Sequence, residues 1–408
     1  MNHIPKKTEQ ELQDLLLKAF EAQQSGDNRQ AENLYRHLIV LIPEFWQLYY
    51  NLGLLLFEED RCEEALEVYE KAVSLPNSDN DLLFNFAICQ KKLGLYEEAV
   101  TTYEQALALD PDDTESHYNR AGCLMTLERF ADALSAYQTV ISLAPEHLPA
   151  LNNQAYLCQR MGKIDLAVEC YTRLLELEPN HHSADHMLAA LKGSARSSAP
   201  ESYIREVFDQ FSDHYEKNLV DKLQYRLPER LLTIVMQDDQ KVSFSSLLDL
   251  GCGTGLLGVH FRPIVHKMHG IDLSCKMIEK AELKGIYDRL YNEDINTFLS
   301  LGKPDSYDLL IAADVFTYVG ELEETFTNCY QASSRNALFC FSVEDLPHPS
   351  SLLRLQKSGR FAHSHQYIER TAVKTGWHIY YSEQLDLRRE GNSWIQGRLY
   401  KMTKKDIT

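Results

Sequence analysis

Five alanines, Ala31, Ala65, Ala99, Ala133 and Ala167, recur every 34 residues in this 408-residue chain, and a tyrosine follows each of them by four, at Tyr35, Tyr69, Tyr103, Tyr137 and Tyr171. A period of that length is neither a helical stripe nor a strand alternation. It marks a supersecondary unit that buries its apolar face only against the next copy. Each copy reads as two amphipathic helices. Ala19, Gly53, Ala87, Ala121 and Ala155 supply the small residue where the helices cross closely. Pro43, Pro111, Pro145 and Pro179, with Pro76 one residue early, stop the second helix because proline has no N–H to continue the ladder.

This pattern resembles the tetratricopeptide repeat, in five copies over about residues 12–180. The resemblance implies an all-α solenoid. Such an array needs a closing helix, for which Ser183–Lys192 is the expected segment, giving a repeat domain of residues 1–192. Asn51, Asn85, Asn119 and Asn153 occupy the sixth position of their first helices, which in tetratricopeptide arrays faces the concave groove, and Tyr50, Phe84 and Tyr118 stand beside them. Two readings are open: a ladder of amide donors and acceptors for a protein or peptide partner in the groove, or asparagines that bond only within and between neighbouring helices.

The net charge is −19, and 16 Lys+Arg against 31 Asp+Glu up to Ala199 place −15 of it on the first half. An acidic array repels a phosphate backbone, so nucleic acid is not an expected partner, whereas a basic protein is allowed. The N-terminus has no apolar stretch of signal-peptide length, and the most apolar run, Leu48–Phe57, is half of a membrane span. A cytoplasmic protein without membrane association is therefore expected. Nine cysteines are scattered with no C-x-x-C pair or matching histidine cluster, which predicts reduced thiols and no metal site.

GSARSSAP, residues 193–200, reads as a linker, small, polar and closed by proline. From residue 201 to 408 the period changes. The strand-like runs SSLLDL, HKMHGID, YDLLIAADV, NALFCFSV, WHIYYSEQL and GRLYKMT alternate with helical ones, as in an α/β fold with a largely parallel sheet. The first strand runs into LLDLGCGTGLLG, and ligands of open α/β sheets sit at such carboxyl ends. Gly251, Gly253 and Gly255 are spaced G-x-G-x-G, not G-x-G-x-x-G, and Asp249 precedes them. A pyrophosphate avoids a neighbouring carboxylate; a cationic ligand tolerates one. Asp272, ending the second strand, is placed to accept ribose hydroxyls. Asp294 follows the third strand and is a candidate for an adenine amino group, and Asp314 ends the fourth beside the expected reaction centre.

With LLDLGCGTG, Asp272, Asp294 and DLLIAADVF in this order, residues 201–403 resemble the class I S-adenosylmethionine-dependent methyltransferases. The resemblance implies a Rossmann-like domain, S-adenosylmethionine as cofactor, and contacts from Asp249 and Gly251 to its methionine end. An NAD-dependent enzyme is the alternative. The whole chain, through YIREVFDQFSDHYEKNLVDKLQYRLPERL, AADVFTYVGEL and GRFAHS with Tyr367, also resembles methyltransferases that carry tetratricopeptide repeats, a group defined by sequence and not by a common acceptor.

Phe211 and Tyr215 are expected to pack over the cofactor, and Tyr225 and Arg226 to bind its carboxylate. An equal reading makes their segment an amphipathic helix on the sheet edge. Candidates for removing the acceptor's proton are Asp314 and His363, then Glu344. Arg388 and Arg389 suit either an anionic acceptor or a solvated strand end. No [DN]-P-P-[YFW] tetrapeptide follows the fourth strand, which disfavours base amino groups as acceptors. The expected function is methyl transfer with the repeats recruiting a protein. The alternatives are a scaffold whose second half binds cofactor with weak or no chemistry, and a small-molecule enzyme whose repeats serve docking.

Overall fold

The computed structural model describes residues 9–76, 79–211, 216, 224–237, 243–302, 306–346, 351–390 and 393–404, without the side chains of Gln210 and Phe211. Two compact units divide the chain, Met1–Pro179 and Asn180–Thr408.

The first unit is α-helical. Its helices are α1 (Glu9–Gln24), α2 (Asn28–Leu41), α3 (Trp46–Glu58), α4 (Cys62–Val73), α5 (Asn80–Lys92), α6 (Tyr96–Leu109), α7 (Thr114–Thr126), α8 (Phe130–Leu143), α9 (Leu148–Arg160) and α10 (Ile164–Leu177). They pair in sequence order into five antiparallel units, as the repeat predicts. All five periodic alanines are fully buried and the five tyrosines are at most 2% exposed. At Gly53 the crossing is so close that a Cβ would lie 2.6 Å from the Tyr69 ring.

The helix turns carry a second period, in backbone conformation. Gly26, Asp60, Gly94, Glu128 and Gly162, each 34 apart, all have positive φ, between 59° and 78°. Three of the first helices, α5, α7 and α9, are capped in register as well, whereas α3 has Phe45 at that position and no side-chain cap. Asp79 and Asp113 accept from the N–H groups of Leu82 and Glu115, and His147 accepts from Ala150. These bonds satisfy helix-end donors that would otherwise lack partners.

That capping period continues into the second unit, where His181 accepts from Ala184 N at the start of α11 (His182–Lys192). By register α11 is the first helix of a sixth copy, with Ala189 in the small-residue column. It nevertheless belongs to the second unit, so the structural boundary falls at 179/180 and not after residue 192. The reason is packing. His186 Nε2 donates to Gly359 O at 2.8 Å, and a Cβ on Gly359 would meet Met187 Sδ at 2.6 Å. The expected linker is likewise no free tether. Ala199 N donates to Tyr318 O (2.9 Å), Glu321 N donates to Ser197 O (2.8 Å), and Ser198 bridges Val319. Small residues at 193–200 serve close approach here, since a Cβ on the facing Gly320 would sit 2.7 Å from Ser197 O.

The rest of this unit alternates helices and strands. They are α12 (Glu201–Phe211), α13 (Leu227–Met236), β1 (Phe244–Leu250), α14 (Leu256–Phe261), β2 (Val265–Asp272), α15 (Cys275–Leu283), β3 (Arg289–Asn292), α16 (Ile295–Leu301) and β4 (Tyr307–Ala312). Then come α17 (Glu323–Ala332), β5 (Ser333–Asp345), β6 (Leu353–Leu355), β7 (Phe361–His363), α18 (His365–Thr375), β8 (Trp377–Glu390) and β9 (Ser393–Lys404). Strands β3, β2, β1, β4 and β5 lie parallel in that order, β9 joins β5 antiparallel, β8 joins β9, and the β7–β6 hairpin continues from the end of β5. Order reverses between β1 and β4, so their carboxyl ends flank the ligand crevice of this fold. Apolar clusters cover the sheet, one around Phe316, Phe326, Phe339 and Phe341 and another around Leu231, Phe244, Leu257 and Phe261. Among the described residues, no helix is long and apolar enough to cross a membrane.

Candidate active site

β1 delivers its apolar run into the sheet and ends at the glycine loop. Gly251, Gly253 and Gly255 have φ of 67°, 53° and 83°, a conformation that only glycine adopts readily. They differ in surroundings. A Cβ would lie 2.5 Å from Val315 at Gly251 and 3.0 Å from the Tyr287 ring at Gly255, whereas at Gly253 it would meet nothing within 4 Å. The middle glycine thus presents bare backbone to open space, and the outer two let the β4 loop and Tyr287 close in.

Two carboxylates meet this loop. Asp272, at the end of β2, accepts from Gly253 N (2.8 Å) and Ser274 N (2.9 Å). Burial pushes its pKa up while those backbone bonds pull it down. Asp249 is 1% exposed and accepts from Tyr287 OH at 2.7 Å. Burial pushes it up to about 7, with the Tyr287 bond opposing and the Asp272 charge adding to the rise. A carboxylate kept this expensive to ionise gains most from a cation beside it. Asp294 caps α16 by accepting from Thr297 N (2.9 Å), which fixes it just beyond β3. Sequence reasoning misses Tyr287 and also Asp209, which accepts from Ser274 Oγ at 2.5 Å and brings α12 against this corner. Neither carries a local signal, because both arrive from other segments.

Three residues expected separately turn out to share one cluster. Arg388, on β8, is 3% exposed; its Nη1 donates to Asp314 Oδ1 at 2.6 Å and its Nη2 to Glu344 Oε1. Gln356 donates to the other Glu344 oxygen at 2.6 Å. Arg388 is therefore neither a solvated strand end nor a free anion receptor, because two carboxylates already hold it. Its neighbour Arg389 lies over the Trp394 ring at 5.8 Å instead.

His363 is fully buried, and its Nε2 donates to Gly320 O at 2.8 Å. Burial pushes its pKa down to about 4, so it stands as a neutral strut under Gly320, sealed from solvent where a base would have to meet an acceptor. Tyr367 does related work, its hydroxyl accepting from Leu322 N at 2.8 Å. Tyr225 packs in the Leu231–Phe244–Leu257 cluster, and Arg226 is exposed at the start of α13. The Phe211 side chain and Tyr215 lie outside the described residues.

In the first unit the asparagine column is partly spent on the array. Asn85 Nδ2 donates to Tyr50 OH (3.1 Å) and Asp81 O (2.8 Å), and Asn153 Nδ2 donates to Tyr118 OH (3.1 Å). Asn119 donates to Glu115 O (3.0 Å) and accepts from Lys91 Nζ (3.0 Å); Asn51 is half-buried on α3.

Residues 183–386 match the methyltransferase domain family, which is half of the chain. The chain belongs to that family. Tetratricopeptide-repeat families match residues 47–112, 89–147 and 149–181. Among curated proteins the chain is similar to methyltransferase-like protein 27 of Homo sapiens, 35% identical over 20% of this chain and 34% of that one. It is also similar to malonyl-[acyl-carrier protein] O-methyltransferase of Bacillus cereus, 26% identical over 30% of this chain and 45% of that one. The chain thus spans less than half the length of these relatives. A solved N-methyltransferase, NodS from Bradyrhizobium japonicum in complex with S-adenosylhomocysteine, is 14% identical with a TM-score of 0.40, covering 50% of this chain and 98% of that one.

The residues present fit S-adenosylmethionine, the cofactor of this methyltransferase domain. Gly253 offers open backbone, Asp272 keeps a carboxylate at the end of β2 for vicinal hydroxyls, and Asp249 is a buried carboxylate whose ionised form a neighbouring cation would favour.

Proposed function

We propose that this chain catalyses methyl transfer from S-adenosylmethionine to an acceptor that its repeat array helps to recruit. The observation that carries the reading is the loop–carboxylate arrangement: three left-handed glycines, one open to ligand, tied through Gly253 N to Asp272 with Asp249 buried behind. When bound, the cofactor supplies a methyl carbon already activated by a sulfonium centre. The protein's own task is then alignment, exclusion of water and handling of a proton. Gly251, Gly253, Gly255, Asp249, Asp272 and Asp294 are assigned to holding the cofactor. Tyr225 and Arg226 remain candidates for its carboxylate. Asp314 stands at the acceptor side.

For the array, the alternating Tyr50–Asn85 and Tyr118–Asn153 pairs support a groove that receives a protein segment, with rings and amides held in place by each other. The curated relatives of this domain include one whose name specifies a protein-bound acyl acceptor, which suits recruitment of a carrier as well as a substrate. The test is calorimetry with S-adenosylhomocysteine and NAD, followed by labelled S-adenosylmethionine with lysate. Binding of the first alone, with label entering protein, supports the reading; NAD binding overturns it. A shortened chain begun at Asn180, which keeps α11 with its unit, separates small-molecule transfer from recruited transfer, because only the former survives loss of the array.

A further inference from the structure

Asp314 is one of five non-glycine residues with positive φ among those described, at 59°. An L-residue pays roughly 1–2 kcal/mol for that conformation, so something must hold it. Arg388 grips Oδ1 at 2.6 Å from β8, and Asp314 N donates to Ser342 Oγ at 2.8 Å on β5. Arg388 is itself fixed, with Glu344 on its other arm and Gln356 behind Glu344. Burial pushes the Glu344 pKa up, with Arg388 opposing. The result is a rigid chain running from β6–β7 through β5 and β8 to a single carboxylate.

That carboxylate is the part of the chain that reaches outward. The side chains of Arg388 and Glu344 are 3% and 4% exposed, that of Asp314 19%. Its position is set beside the glycine loop, because the next residue, Val315, fills the space where Gly251 would carry a Cβ. β1 and β4 are parallel neighbours with Asp249 opposite Ile311, so Asp314 leaves the sheet at the same end as Gly251.

We propose that Asp314 is the carboxylate that meets the acceptor at the methyl-transfer position, and that Arg388 is a positioning residue that aims and anchors it. The inference rests on the methyltransferase reading above. It commits the acceptor to a class, an amine or hydroxyl that carries a proton. The acceptor's N–H or O–H bond breaks, its electron pair stays on the acceptor, and the proton passes to Asp314 and then to water. A paired carboxylate remains an effective hydrogen-bond acceptor because Arg388 occupies only Oδ1.

The test needs no knowledge of the acceptor. Sinefungin carries an ammonium where the transferable methyl sits, whereas S-adenosylhomocysteine carries nothing there, so their affinity ratio probes that position in the full-length protein. Wild type is expected to prefer sinefungin, with Asp314→Asn losing about tenfold of that preference at unchanged S-adenosylhomocysteine affinity. Arg388→Met should lose it similarly and Arg388→Lys should recover most of it. A preference that survives Asp314→Asn, or is absent from wild type, overturns the assignment. So does loss of S-adenosylhomocysteine binding in Asp314→Asn, which would make the carboxylate a scaffold. Failure of wild type to bind S-adenosylhomocysteine overturns the methyltransferase reading itself.

Discussion

The helical array and the glycine loop both use left-handed backbone, and they enforce it in different ways. At the array turns the conformation recurs at 26, 60, 94, 128 and 162, yet Asp60 and Glu128 stand where the other three have glycine. Nothing lies within 4 Å of a Cβ at Gly26, Gly94 or Gly162, so a side chain costs only backbone strain. At Gly251 strain and collision combine, because Val315 already fills the position. A repeated turn tolerates sequence drift; a loop closed on its neighbours does not.

Substitutions can break or sharpen this contrast. The largest effect is expected at Gly251→Ala, where left-handed strain and overpacking against Val315 together cost about 3 kcal/mol. S-adenosylhomocysteine binding should weaken at least tenfold, read by calorimetry. Wild-type-like affinity would show that the loop has slack.

Next comes pH, which separates the units through buried titratable groups. Burial holds the His363 pKa at about 4, against 6.5 unfolded. The unfolded chain therefore binds the extra proton first, and stability falls as pH drops from 6.5 to 4, by about 3 kcal/mol from this group. Asp249 acts with the opposite sign: its raised pKa makes protonation on the acid side of about 7 stabilising. The array's buried tyrosines are pushed above their ordinary range and add nothing on the acid side. Urea unfolding of His363→Gln beside wild type should converge toward acid; a constant offset across pH 6.5 to 4 would deny the histidine this role.

The smallest effects belong to the array. Gly94→Ala should cost about 1 kcal/mol, the left-handed penalty less the entropy removed from the unfolded chain. Glu128→Gly should gain about 0.5 kcal/mol by the same two quantities reversed. Hydrogen exchange across residues 96–160 reads both. Equal losses at Gly94 and Gly251 would erase the distinction between the two regions.

Much of this molecule is legible in its residues. The helix pairs follow from Ala and Tyr at a fixed period, since any other arrangement exposes those columns. The glycine loop, Asp249 and Asp272 follow from one strand–loop–helix and the end of the next strand. The boundary was less legible, because α11 keeps the repeat's capping histidine and small residue while its other contacts, to Gly359 and Tyr203, come from the second unit. GSARSSAP looks like a tether because small polar residues mark both tethers and close-packed straps.

By itself, then, the sequence determined the repeat register and the strand–loop–helix that carries the three glycines, because each is written in local spacing. The tertiary structure alone decided that Asp314, Glu344 and Arg388 form one cluster and that His363 is a sealed strut. Those facts depend on β4, β5, β7 and β8 converging at one end of a sheet. Residues 74 positions apart have no spacing rule to announce their meeting.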